Sequence, residues 1–237
     1  MRVPILRAEA TCALSYRRYR RGMDWFRWHD GYEGHLASRL ETVQNQLDAA
    51  LAEAAGHVRI ISICAGQGRD VIGSLQRFPR RDDVEALLVE LDERNVEAAR
   101  QRVADAGLSD ITVTAGDAGV TDPYRPMVPV NVILACGVFG SLTDEHIDRT
   151  ISLIPTLASA GAQVIWTAHR AAPGLWDTTI TSFRRHGFEE VWTNDGADRF
   201  GVGRHRLARP PEPFRDGERL FSFATEETLV RLGRTTT

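Results

Sequence analysis

An apolar, β-branched run that ends in a glycine turn and opens into a helix-forming segment constrains this chain more than any other feature. The run is Ile60-Ile61-Ser62-Ile63-Cys64, and the turn is Ala65-Gly66-Gln67-Gly68. Neither glycine carries a Cβ, so the backbone can turn sharply and lie directly against a ligand. Leu87-Leu88-Val89-Glu90 reads as a second buried strand ending in a carboxylate, 22 residues beyond Gly68. That spacing suits a βαβ unit whose second strand presents an acid to ribose hydroxyls. Gly66, Gly68 and Glu90 together mark a nucleoside-cofactor site.

From residue 57 onward strands and helices alternate. Strands are expected at 58–63, 85–90, 111–115, 130–136 and 162–168, with helices at 68–78, 93–106 and 143–158. Repeated strand–helix units imply a doubly wound parallel sheet. The pattern then changes. A helix at 176–186 leads into Phe188–Trp192 and Phe200–Leu207, two strands around the polar turn Asn194-Asp195-Gly196. Arg219–Phe223 reads as a last extended piece. The expected fold is therefore α/β and Rossmann-like: doubly wound, with a mainly parallel seven-stranded sheet and a C-terminal antiparallel hairpin.

Residues 1–55 form a separate block, leaving 56–237 as the Rossmann-like domain. Leu36, Leu40, Val43, Leu47 and Leu51 recur at three- and four-residue steps, which predicts one amphipathic helix over Gly34–Ala54. The segment before it is dense in Arg and aromatics, among them Trp25, Phe26, Trp28, His29 and Tyr32. Two readings stand: an N-terminal helical lid over a pocket, or aromatics that seal the helix onto the domain.

The remaining composition mainly excludes. A net charge of −3 argues against a broad nucleic-acid surface, although Arg17-Arg18-Tyr19-Arg20-Arg21 is locally basic. All 29 basic residues are Arg, so no Schiff-base or phosphate-loop lysine exists. Cys12, Cys64 and Cys136 are widely spaced, giving neither a disulfide framework nor a metal site. No secretory pattern is present, and no apolar run reaches the roughly 18 residues of a membrane span. A cytoplasmic protein with no membrane partner is expected. A homodimer is compatible with the sequence, which does not fix the oligomeric state.

Which nucleoside cofactor fits is narrowed by the later strand ends. A dinucleotide fingerprint wants a third glycine at position 71, where this chain has Val71. Asp117 directly follows the third strand, at the carboxyl edge, where it can accept a hydrogen bond from an adenine amino group. Cys136-Gly137-Val138-Phe139-Gly140 puts a small-residue turn after the fourth strand, against which a sulfonium can lie. In this order and at these strand ends, the motifs resemble those of class I S-adenosylmethionine-dependent methyltransferases over roughly residues 57–207. Ile165–Arg170 and Val202–Arg206 further resemble a bacterial small-molecule group of that family. The chain departs from the family pattern at Ser62, Cys64 and Asn131. An acid usually stands at positions 62 and 131, and the first glycine of the turn at position 64.

The resemblance implies S-adenosyl-L-methionine as cofactor, held by Cys64, Ala65, Gly66, Gly68, Glu90, Leu91, Asp117, Ala118, Cys136 and Gly137. Glu90 would hold the ribose, Leu91 and Ala118 would flank the adenine, and Asp117 would meet its amino group. Methyl transfer is an in-line displacement, so the protein needs to align the acceptor and exclude water. A base helps where the acceptor is a hydroxyl or an ammonium. His169 and His29 are the candidate bases, because imidazole titrates near neutrality. Trp25, Trp28 and Tyr32 are the candidate acceptor-facing lid residues. No Asn/Asp-Pro-Pro-Tyr/Phe tetrapeptide follows the fourth strand, which disfavours nucleobase amino groups. A small-molecule acceptor is the expectation. The alternatives are a non-catalytic S-adenosylmethionine-binding module, an NAD-dependent oxidoreductase, and a nucleic-acid methyltransferase with Arg17-Arg18-Tyr19-Arg20-Arg21 as a backbone clamp.

Overall fold

The computed structural model describes Phe26 and residues 34–234. Helix α1 (His35–Glu53) precedes strand β1 (Val58–Ile63). Then come α2 (Arg69–Arg77), β2 (Val84–Glu90), α3 (Glu93–Asp105), β3 (Ile111–Ala115) and β4 (Val130–Ala135). They are followed by α4 (Asp144–Leu153), β5 (Ala158–His169), α5 (Leu175–Arg185), β6 (Phe188–Thr193), β7 (Phe200–Leu207) and α6 (Glu226–Arg231).

The strands form one seven-stranded sheet in the order β3-β2-β1-β4-β5-β7-β6. The pairs among β1 to β5 are parallel, and β7 is antiparallel to both β5 and β6. Successive side chains of a strand point to opposite faces, and the core divides accordingly. On one face Ile60, Leu88, Val132 and Ile165 join a cluster with Leu47 of α1, Leu75 of α2 and Val96 of α3. On the other, Ile61, Val89, Ile133 and Trp166 join Ile147 of α4 and Phe183 of α5. Both faces are covered, which explains why the central strands read as continuous apolar runs. The strand order reverses direction between β1 and β4. In open α/β sheets, ligands bind outside the carboxyl ends of the strands at such a switch point.

One expectation needs correction. The helix predicted over 143–158 ends at Leu153 and passes through a short 3₁₀ turn, Ile154–Thr156. Pro155 has no N–H to continue the helical ladder, and Ala158 already pairs with Val130 of β4. Arg219–Phe223 pairs with the loop after β3 through one bridge, Arg219 to Val120, and the Leu220 N–H on the Gly119 carbonyl, in keeping with an extended piece. Helix α6, which the sequence reading lacks, follows it, and Thr225 caps the N–H of Thr228. Its six residues are too few for a clear periodic signal. Among the described residues, no helix is long and apolar enough to cross a membrane.

Candidate active site

The turn after β1 sits at the switch point and is held in an unusual backbone conformation. Cys64, Gly66 and Gly68 all have positive φ, at 55°, 55° and 66°. For Gly68 this needs no side-chain strain, and close packing also requires glycine there: a Cβ would lie 2.5 Å from Leu88 Cδ2. Cys64 takes the left-handed conformation without being glycine, at a cost on the order of 1 kcal/mol. Cys64 thus holds a left-handed conformation that a glycine would take more easily.

Glu90 closes that turn. Its Oε2 accepts from the Gly66 N–H at 2.9 Å, and its Oε1 from the Asp92 N–H at 2.9 Å. The side chain is buried, and burial raises its pKa above the ordinary carboxylate range, opposed by the backbone N–H groups of Asp92, Gly66 and Leu91. An ionised carboxylate offers about four lone-pair sites. Two backbone donors leave about two for a diol. Glu90 and the Gly66 turn are therefore brought together as the spacing predicts, and Leu91 follows directly at the strand end.

Asp117 is held just as firmly. Its Oδ1 accepts from the Gly119 N–H at 2.8 Å, and its Oδ2 from Arg219 Nη1 at 3.1 Å. The neighbouring Ala118 is buried, and its carbonyl accepts from the Tyr124 hydroxyl at 2.9 Å. Burial drives the Tyr124 pKa well up, and charge on Cys64 or Asp117 pushes it further in the same direction. The phenol therefore acts as a neutral donor that fixes the 118 carbonyl. Neither Tyr124 nor Arg219 was legible as a site-supporting residue in the sequence, because both come from outside the motifs.

After β4, the Gly137 N–H donates to Thr167 Oγ1 of β5 at 2.8 Å, which ties the small-residue turn to its neighbour strand. A Cβ at Gly137 would meet no atom within 4 Å, so the space before it is open. The Cys136 thiol donates to the Ile165 carbonyl at 3.9 Å. Burial, then the Asp70 carboxylate, raises its pKa far above the ordinary thiol range, so it stays a neutral thiol. Asp70, in the first turn of α2, is itself raised by burial and is opposed by its own helix N-terminus and by Arg39 of α1. This acid directly follows Gly68-Arg69 in the sequence, beside the glycine turn.

The remaining candidates divide. His169 is the last residue of β5, half-buried on the carboxyl edge, and its register partner is Phe200 of β7. Trp25, Trp28, His29, Tyr32 and the Arg17–Arg21 run lie outside the described residues, as does most of the proposed lid. Phe26 is described, and the Arg94 guanidinium of α3 lies 5.4 Å from its ring centre. Asn131 is excluded from the site by its position. It is the second residue of β4, far from the carboxyl end, and its Oδ1 accepts from the Arg59 N–H at 2.8 Å. His205 is buried on β7, where its Nδ1 accepts from Trp166 Nε1 at 3.0 Å. Burial and Arg184 lower its pKa to about 4, so it is a neutral core acceptor. Among the described residues, no group of His, Cys, Asp and Glu could hold a metal ion.

Comparison with known proteins gives this geometry its context. Residues 31–192 match the model of a family described as "Putative methyltransferase". No curated protein matches the sequence. Among solved structures, the chain is similar to the CurJ carbon methyltransferase, with a TM-score of 0.60 and 14% identity over 75% of this chain and 57% of that one. It is also similar to an O-methyltransferase family 2 protein from Planctomyces limnophilus, solved in complex with apigenin, with a TM-score of 0.58 and 14% identity over 85% of this chain and 67% of that one. An O-methyltransferase family protein from Burkholderia thailandensis gives a TM-score of 0.58 and 12% identity over 74% and 57%. This chain thus spans 57% of the length of the carbon methyltransferase. At these identities the likeness establishes the fold, and the family match covers more than half of the chain. The chain belongs to this methyltransferase family and has its Rossmann-like fold.

Proposed function

We propose that this protein binds S-adenosyl-L-methionine at the β1–β4 switch point and transfers its methyl group to a small-molecule acceptor. The observation that carries the reading is the Glu90 carboxylate fixed to the Gly66 N–H. It puts an acid with spare acceptor sites beside a glycine turn at the sheet's ligand-binding edge. The cofactor, when bound, supplies an electrophilic methyl group on a sulfonium.

The chain's own residues then bind, orient and exclude water. Glu90 accepts from the ribose hydroxyls. Leu91 and Ala118 flank the adenine, and Asp117 accepts from its amino group. Cys64 and Ala65 line the turn, and Cys136 and Gly137 bound the open space after β4. His169, on the same edge, is the candidate to take a proton from the acceptor. Asp70 offers a carboxylate for the ammonium of the cofactor's amino-acid end. The net charge of −3 and the O- and C-methyltransferase folds among the similar structures support a small, non-polyanionic acceptor. Within the N-terminal block, the aromatic segment before α1 acts as the lid over it.

Calorimetry with the purified protein tests the cofactor assignment. S-adenosylmethionine and S-adenosylhomocysteine should bind in the micromolar range, and NAD should give no signal. The opposite result overturns the proposal. Incubation with labelled cofactor and a pool of cell metabolites should then give a product heavier by one methyl group, whereas cofactor binding with no acceptor in any pool would favour a non-catalytic binding module.

A further inference from the structure

Asp117 is not held by its own loop alone. A segment from the far end of the described chain, residues 218–221, lies along 119–121 and clamps it. The Thr121 N–H donates to the Glu218 carbonyl at 2.9 Å, and the Glu218 N–H returns to Thr121 Oγ1 at 3.0 Å. The Leu220 N–H donates to the Gly119 carbonyl at 2.8 Å. Leu220 and Phe221 are buried, so the segment is anchored by packing as well as by hydrogen bonds. Helix α4 holds its other side. Arg149 Nε donates to the Arg219 carbonyl at 2.6 Å, Arg149 Nη2 meets Glu218 Oε2 at 2.8 Å, and Thr150 Oγ1 donates to the Leu220 carbonyl at 3.1 Å.

The fit is tight where it matters. A Cβ on Gly119 would lie 2.7 Å from the Phe221 carbonyl oxygen and 3.0 Å from Asp117 Oδ1. From this clamped segment Arg219 reaches back. Its Nη1 donates to Asp117 Oδ2 at 3.1 Å and to the Phe221 carbonyl at 3.3 Å. The Asp117 carboxylate is thereby fixed at both oxygens, by a backbone N–H and by a guanidinium, with its remaining lone pairs in set directions.

We infer that the 218–221 segment, through Arg219, determines the base selectivity of the cofactor site by orienting Asp117 toward an exocyclic amino group. This rests on the adenine role proposed for Asp117. A carboxylate accepts from a 6-amino group, whereas a 6-oxo purine presents an acceptor to it and is repelled. Discrimination between the two depends on where the carboxylate points, and Arg219 sets that. Arg219 is thus a positioning residue.

The test compares S-adenosylhomocysteine with its inosine analogue by calorimetry, in the wild type and in Arg219→Gln, Arg219→Lys and Arg149→Gln. Wild type should prefer the 6-amino ligand by at least about tenfold, the range expected for one charge-assisted hydrogen bond. Arg219→Gln should cut that preference by about three- to tenfold, and Arg219→Lys should restore part of it. Arg149→Gln, which releases the Arg219 carbonyl without touching Asp117, should show a smaller loss of the same sign. A merely structural role would weaken both ligands equally and leave their ratio unchanged; that result, or a ratio that rises, overturns the inference. If wild type binds both ligands equally, the adenine role of Asp117 fails instead. If it binds neither, the cofactor assignment fails.

Discussion

Replacing Glu90 by Ala tests the ribose contact and the closure of the turn in one protein, because the carboxylate carries both. On the stability side, the substitution strips the acceptors from the Gly66 and Asp92 N–H groups, each bonded at 2.9 Å. An orphaned buried donor costs about 1–3 kcal/mol. Gly66 is buried and bears this in full, while Asp92 is partly exposed and recovers part of it from water. Removing the carboxylate also relieves the burial that raises its pKa, which offsets part of the loss. The net expectation is a destabilisation of about 2 kcal/mol, read from urea unfolding followed by circular dichroism. On the binding side, a lost contact from two hydroxyls to a carboxylate is worth roughly 1.5–3 kcal/mol, or about 10- to 150-fold in cofactor affinity. Calorimetry at low temperature, where the variant remains folded, measures this separately. An unfolding midpoint equal to wild type would refute the closure of the turn by Glu90. Full cofactor affinity in the folded variant would refute the ribose role. Because the two readouts are independent, either half of the reasoning can fail alone.

The buried His205 gives a pH signature. Its folded pKa of about 4 lies below the ordinary value of 6.5, so the unfolded chain binds a proton that the folded chain does not. Stability should therefore fall as pH drops from about 6.5 to about 4, by up to about 3 kcal/mol from this group. In His205→Gln the slope over that window should be shallower; equal slopes would remove His205 as its source. Deleting residues 1–33 should reduce turnover far more than cofactor affinity, and a truncated enzyme with full activity would dismiss the lid.

Most of the sheet is legible in the sequence because its strands are short apolar runs closed by turn residues. The βαβ unit from Val58 to Glu90 is legible twice over, since the glycine turn requires a strand before it and a helix after it. The hairpin of β6 and β7 is marked by Asn194-Asp195-Gly196. The segment at 154–162 is misread because Leu153, Ile154 and Leu157 continue a helical spacing that Pro155 interrupts, and the register of β4 with Ala158 is a long-range fact. Helix α6 is missed because six residues give less than two turns of periodicity.

For the site, Glu90 ends β2 and Asp117 lies two residues beyond β3, so both stand at the edge where ligands bind, and local spacing points to them. Their second task is invisible locally. Each uses part of its carboxylate to hold backbone N–H groups of the loop it serves, and Asp117 is further pinned by Arg219, 102 positions later in the chain. That division of labour has an energetic consequence. The groups that would hold the cofactor also hold these loops, so the loops are set before anything binds and little ordering entropy remains to be lost on binding. It also means that substitutions at these positions couple affinity to stability. A ligand at 100 times its dissociation constant adds about 2.7 kcal/mol to the folded state, comparable with what removing Glu90 takes away. Saturating cofactor should therefore raise the melting temperature of wild type by more than that of Glu90→Ala, since the variant loses the contact through which binding stabilises the turn.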